Sequence, residues 1–141
     1  MRYMVIVKAS QDSENGVLPT EQELTQMGAY NEELVKAGVM LAGEGLLPSS
    51  KGARVRFDKD HNSTVVDGPF AETKELVAGF WILEVSSREE VIEWVRKAPF
   101  RDAEVEIRQV ASAEDFGDAF TPELREQEER LRATAAEQHG A

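Results

Sequence analysis

Residues 76–85 read LVAGFWILEV: Leu76, Val77, Ala78, Gly79, Phe80, Trp81, Ile82, Leu83, Glu84 and Val85. The run is rich in β-branched and aromatic side chains and far too short to span a bilayer, so it reads as a strand. Its pattern decides the fold. A strand with one wet face alternates apolar and polar residues, whereas here nearly every position is apolar. Both faces of the sheet around it therefore want burial. Met4-Val5-Ile6-Val7 has the same two-faced character.

Working outward, Tyr3 to Val7 reads as a buried strand and Asp12 to Gly16 as the polar loop behind it. Thr20-Glu21-Gln22-Glu23 is a capping box. The helix it opens carries Leu24, Met27, Leu34 and Val35 near one face, and Gly38 suits its left-handed C-terminal cap. Val39 to Leu47 resumes an extended reading, with Gly43 and Gly45 marking a bulge or a close backbone approach. Arg54 to Phe57 and Thr64 to Val66 form a hairpin across Asp58–Asn62. Ser87-Arg88-Glu89-Glu90 is a second capping box, Val91, Trp94 and Val95 supply that helix's apolar stripe, and Pro99 ends it. Val105 and Ile107 flank Glu106 in a last strand.

The order strand, helix, strand, hairpin, strand, helix, strand is an α+β pattern and predicts a ferredoxin-like sheet with an inserted hairpin and helices on one face. Helices cover only one face of such a sheet. The other apolar face needs a partner, and a two-fold homodimer packing sheet on sheet is the simplest solution. Residues 112–141 read as a helical tail behind a domain at 1–111, with capping Thr121, Pro122 at the first helical position, and few apolar residues.

Composition narrows the function classes. The 141 residues are 41% hydrophobic and 30% charged, an ordinary globular balance. Acidic residues outnumber basic ones 27 to 16, for a net charge of -11, which argues against nucleic acid and anionic membrane as partners. No cysteine is present, so disulfides and thiol nucleophiles are excluded. The short apolar run after Met1 is no signal peptide, and a cytoplasmic location is expected. His61 and His139 have no ligand partners near them in sequence, so no metal site is expected. Gly43-Glu44-Gly45 is a fragment of a dinucleotide fingerprint without the third glycine, and no cofactor is expected.

Two carboxylates stand apart as catalytic candidates. Glu44 lies inside an otherwise apolar strand, where burial would make it a proton donor or acceptor; the other reading points it outward or pairs it with Arg54 or Arg56. Asp67 begins the nonapeptide DGPFAETKE, residues 67–75. Asp-Gly-Pro is a turn in its own right. The same loop would also display Asp67, Glu72 and Lys74 at the end of a sheet, where ligand sites often lie. The expected ligand-binding set is Arg56, Gly68, Pro69, Phe70, Glu72, Lys74, Phe80 and Trp81, with Arg56 or Lys74 stabilising negative charge.

DGPFAETKE resembles the signature of the DGPF subgroup of the YCII-related family. The likeness runs from Met1 to about Val110 and includes Arg2-Tyr3-Met4, Ala42 to Leu46, Gly79-Phe80-Trp81 and Glu106 to Val110. It implies a dimeric α+β barrel. Relatives outside the subgroup carry a His-Asp pair suspected of acid/base catalysis, with the histidine on the first helix. Here that helix, Thr20 to Ala37, has no histidine and offers Tyr30 and Asn31, while Asp67 matches the acidic member. The resemblance implies much less about activity than about fold, and the leading reading is a small-molecule-binding or cofactor-independent acid/base protein. The alternative is a regulatory or interaction module, since subgroup members often accompany extracytoplasmic-function sigma factors in genomes.

Overall fold

The stretch LVAGFWILEV supplies the inner strand β5 (Val77–Glu84), which pairs antiparallel with β1 (Arg2–Lys8) and with β2 (Met40–Gly45). Strand β6 (Val105–Gln109) joins the far side of β1, giving a four-stranded antiparallel sheet in the order β2-β5-β1-β6. The computed structural model describes residues 1–140. They fall into two compact units, Met1–Gln109 and a second from Val110 onward.

Strand alternation explains the two-faced sequence. Tyr3 and Val5 of β1 stand in register with Leu83 and Trp81 of β5, and all four are buried. They form the core with Tyr30 and Leu34 of helix α2 (Glu21–Lys36) and Val91 of helix α3 (Arg88–Arg96). The opposite face carries Met4, Ile6, Phe80 and Ile82, all half-buried and none in that core. Helices occupy one face, as expected for α+β with an antiparallel sheet.

Local chemistry fixes the helix ends. The Glu23 amide donates to the Thr20 hydroxyl at 3.1 Å, and the Thr20 amide donates to the Glu23 carboxylate at 3.4 Å. At the other end Gly38 adopts φ 72°. The Val39 amide then reaches the Leu34 carbonyl at 3.1 Å and brings two buried side chains together.

Two local expectations are corrected. Residues Gln11–Glu14 form a one-turn helix α1, capped by Ser10, instead of loop. The second capping box closes one residue early: Ser87 caps the Glu90 amide, but the Glu90 carboxylate takes the amide and hydroxyl of Ser86 at 3.2 and 2.7 Å.

The hairpin forms as β3 (Ala53–Phe57) and β4 (Ser63–Asp67), a separate two-stranded sheet with Val55 opposite Val65. In the second unit, Thr121 caps helix α4 (Pro122–Gln138), and Arg125 pairs with Glu114 at 3.8 Å. Among the described residues no helix is long and apolar enough to cross a membrane.

Candidate functional site

Glycines open the sheet where β2 meets β5. Gly43 pairs with Trp81 and Gly45 with Gly79, so three of these four positions facing α2 carry no side chain. The result is a cleft of about 240 Å3 lined by Val7, Met27, Asn31, Gly43–Gly45, Ala78–Trp81 and Phe100. Consecutive residues of both strands line it, so its floor is largely main chain. Gly43 has a further reason to be glycine: a Cβ there would lie 2.7 Å from Met40 Cε and 2.8 Å from Trp81 Cδ1.

The cleft wall is held rigidly. Trp81 meets Tyr30 edge to face (5.7 Å between centroids, 78°) and Phe100 likewise (6.0 Å, 65°). Its indole Nε1–H donates to Asn31 Oδ1 at 3.0 Å. Because Oδ1 faces the indole, the Asn31 amide nitrogen keeps its two donors. Tyr30 has a different task. Its hydroxyl donates to the Trp94 carbonyl at 2.7 Å, and burial, then the nearby Glu33 charge, push its pKa up to about 12. That phenol stays protonated at neutral pH and ties α2 to α3.

The DGPF loop lies elsewhere and is clasped from below. Ser49 is central: the Phe70 amide donates to its hydroxyl at 3.0 Å, and its own hydroxyl and amide donate to the Glu14 carboxylate, the amide at 3.0 Å. The Gly68 amide donates to the Gly52 carbonyl at 3.0 Å, and a Cβ on Gly68 would overlap the Ser49 carbonyl. Phe70 also carries the Arg54 guanidinium over its ring at 3.8 Å. Beside this clasp runs a second, wider groove of about 720 Å3, walled by Leu46, Leu47, Val77, Phe70 and Arg54 among others.

Glu44, Phe80 and Trp81 all border the cleft, but only the Trp81 side chain faces it; Glu44 and Phe80, paired with each other, reach it through their main chain. Phe70 lines the other groove, and Gly68 and Pro69 shape the loop that leads to it. Asp67, Arg56, Glu72 and Lys74 are exposed and line neither; Asp67 ends β4 opposite Ala53, and Arg56 pairs with Thr64. The expectation of a buried Glu44 is corrected. β2 is the edge of the sheet, so Glu44 is exposed and points outward. Glu14 and Ser49 escaped the sequence reading because 35 residues separate them and neither sits in a motif. Asn31 was visible only as a residue standing where a histidine was missed. Among the described residues no cluster of His, Cys, Asp and Glu has the shape of a metal site.

The YCII-related domain profile matches residues 1–114. An uncharacterized protein of Rhizobium meliloti is 32% identical over 76 residues, which are 54% of this chain and 60% of that protein. The match therefore spans about three-fifths of the relative's length. A solved structure of 5-chloro-2-hydroxyhydroquinone dehydrochlorinase from Burkholderia phenoliruptrix, in complex with 2,5-dihydroxybenzoquinone, aligns with a TM-score of 0.48 at 18% identity. That alignment covers 82% of this chain and 98% of the other.

Proposed function

The chain belongs to the YCII-related family, and from that footing we propose that it binds a small molecule in the cleft between α2 and the sheet and that DGPFAETKE marks its subgroup. One observation carries the reading: the sheet is stripped of side chains at Gly43, Gly45 and Gly79 beneath a wall of fixed aromatics. A core selected for stability alone fills such a gap, because voids forfeit dispersion contacts. Here the gap is framed by Trp81, which three neighbours hold in place. Concave, mostly apolar space with a few placed polar groups is the common form of a ligand site.

If the bound molecule is turned over, the chemistry is proton transfer without a cofactor. Glu44 stands with its partner Phe80 on the opposite face of the edge strand, so it would act as base only on a ligand that reaches round that edge. Asp67, the second candidate, would act only on a ligand that reaches the end of β4. The half-buried face of Met4, Ile6, Phe80 and Ile82 supports a two-fold homodimer, sheet on sheet, as the working form.

The test uses the Trp81 indole N–H resonance and a mixture of small organic fragments. Saturable shifts are expected in the wild-type protein and none in Gly45→Val, whose new side chain points into open space on the Gly43 side of β2. Glu44→Gln should keep binding and lose any turnover. A Trp81 signal that no fragment moves would end the proposal.

A further inference from the structure

We propose that the occupant of the cleft is one uncharged, planar ring bearing a hydrogen-bond acceptor; this rests on the ligand reading above and narrows it. Size admits it. An apolar cavity of about 150 Å3 takes up benzene, and drug-sized ligands occupy roughly 300 Å3 or more. At about 240 Å3, the cleft suits one ring with a short substituent.

Shape favours flatness. Where Gly45 faces Gly79 the floor is peptide plane, with no side chain rising from it. Trp81 and Phe100, already locked edge to face, present the neighbouring wall. A flat ring can lie on that floor and meet both aromatics in the offset or edge geometries such rings prefer.

Polarity sets the substituent. Asn31 is the one uncharged polar side chain in the lining whose hydrogen-bonding groups can face a ligand, and its oxygen is already taken by the Trp81 N–H. What remains is a pair of N–H donors, so the ligand atom they meet is an acceptor. Charge is decided by what the lining lacks. Among the described residues that line the cleft there is no lysine or arginine, and the one ionic residue, Glu44, pairs with Phe80 and turns its carboxylate to the other face of the sheet. An anionic ligand would lose hydration there with no cation to replace it.

Four compounds separate these properties one at a time: acetophenone, ethylbenzene without the acceptor, cyclohexyl methyl ketone without the flat ring, and benzoate with a charge. Each is titrated into the full chain and read at the Trp81 indole N–H, with Trp94 as internal control. Acetophenone should bind best. Ethylbenzene should be about 3- to 10-fold weaker, the worth of one neutral hydrogen bond. The cyclohexyl ketone should be about 2- to 10-fold weaker, and benzoate weaker by about tenfold or more. Asn31→Asp keeps an oxygen for the Trp81 N–H but removes the donors, and should erase the preference for acetophenone over ethylbenzene.

Benzoate or the cyclohexyl ketone matching acetophenone overturns the assignment, as does an acetophenone preference that survives Asn31→Asp. If none of the four moves Trp81 while a fragment of another class does, the ring assignment falls and the ligand site stands. If nothing moves it, both fall.

Discussion

The main-chain N–H of Phe70 donates to the Ser49 hydroxyl across 3.0 Å, and that hydroxyl in turn donates to the Glu14 carboxylate. Three segments far apart in sequence thus meet on one oxygen: α1, the 48–52 turn and the DGPF loop. The nonapeptide's first half is shaped by this clasp. Phe70 is held in place by its own backbone, and its ring is then free to carry Arg54.

Ser49→Ala should therefore destabilise the protein by about 1–3 kcal/mol, because the Phe70 N–H and the Glu14 carboxylate both lose a partner in a half-buried site. The measurement is the urea midpoint, with the m-value unchanged. An unaltered midpoint would mean that the loop holds its shape without the clasp.

The glycines separate by what a methyl group would meet. Gly68→Ala drives a Cβ into the Ser49 carbonyl, which is backbone and cannot step aside. Gly43→Ala meets the flexible end of Met40 but also the locked indole of Trp81, so a cost of about 1–3 kcal/mol is expected. Gly45→Ala meets nothing within 4 Å and should be nearly neutral. Denaturant midpoints should fall in the order Gly68, Gly43, Gly45, and any other order would contradict the packing described.

Much of this fold is legible in LVAGFWILEV because strand alternation is strict: a run apolar at nearly every position belongs to a sheet with two apolar faces. The caps at Thr20 and Gly38 are equally local, since each rests on hydrogen bonds within a few residues. The site is less legible for the opposite reason. Gly43 and Gly45 announced a bulge or a close approach, but which one depends on the partner strand. The register shift falls at Met40–Ala42, and the close approach is Gly43 against Trp81. Glu44 looked buried because its neighbours are apolar, yet edge position is a property of topology, not composition. Ser49 and Glu14 carry no pattern at all; only the folded chain brings them together.

The open sheet face yields a third prediction. Ile82 stands in register with Met4 and Ala42 and is half-buried in the single chain. Ile82→Lys should convert a dimer into a monomer with an unchanged far-UV spectrum, since the residue lies outside the helix-covered core. Sedimentation velocity at micromolar concentration reads the mass. A wild-type protein that is already monomeric would refute the sheet-on-sheet dimer outright.

Tyr30 gives the last prediction, and its sign follows from the raised pKa. The phenol titrates near 10 in the unfolded chain and at about 12 when folded, chiefly because burial disfavours the charged form. The folded state thus holds its proton more tightly. Below pH 10 both states are protonated and the contribution is fully present; it is lost as pH rises from 10 towards 12. A shift of this size corresponds to about 3 kcal/mol across the window. Tyr30→Phe removes both the titration and the hydrogen bond to the Trp94 carbonyl. The variant should be less stable than wild type at pH 7, by about 1 kcal/mol for the lost bond. It should also lose less stability than wild type between pH 9 and pH 11.5, so the two curves converge or cross. Urea midpoints at those pH values decide the matter. Parallel curves would show that alkaline unfolding is driven by another group and that the Tyr30 hydroxyl serves only as a tie between α2 and α3.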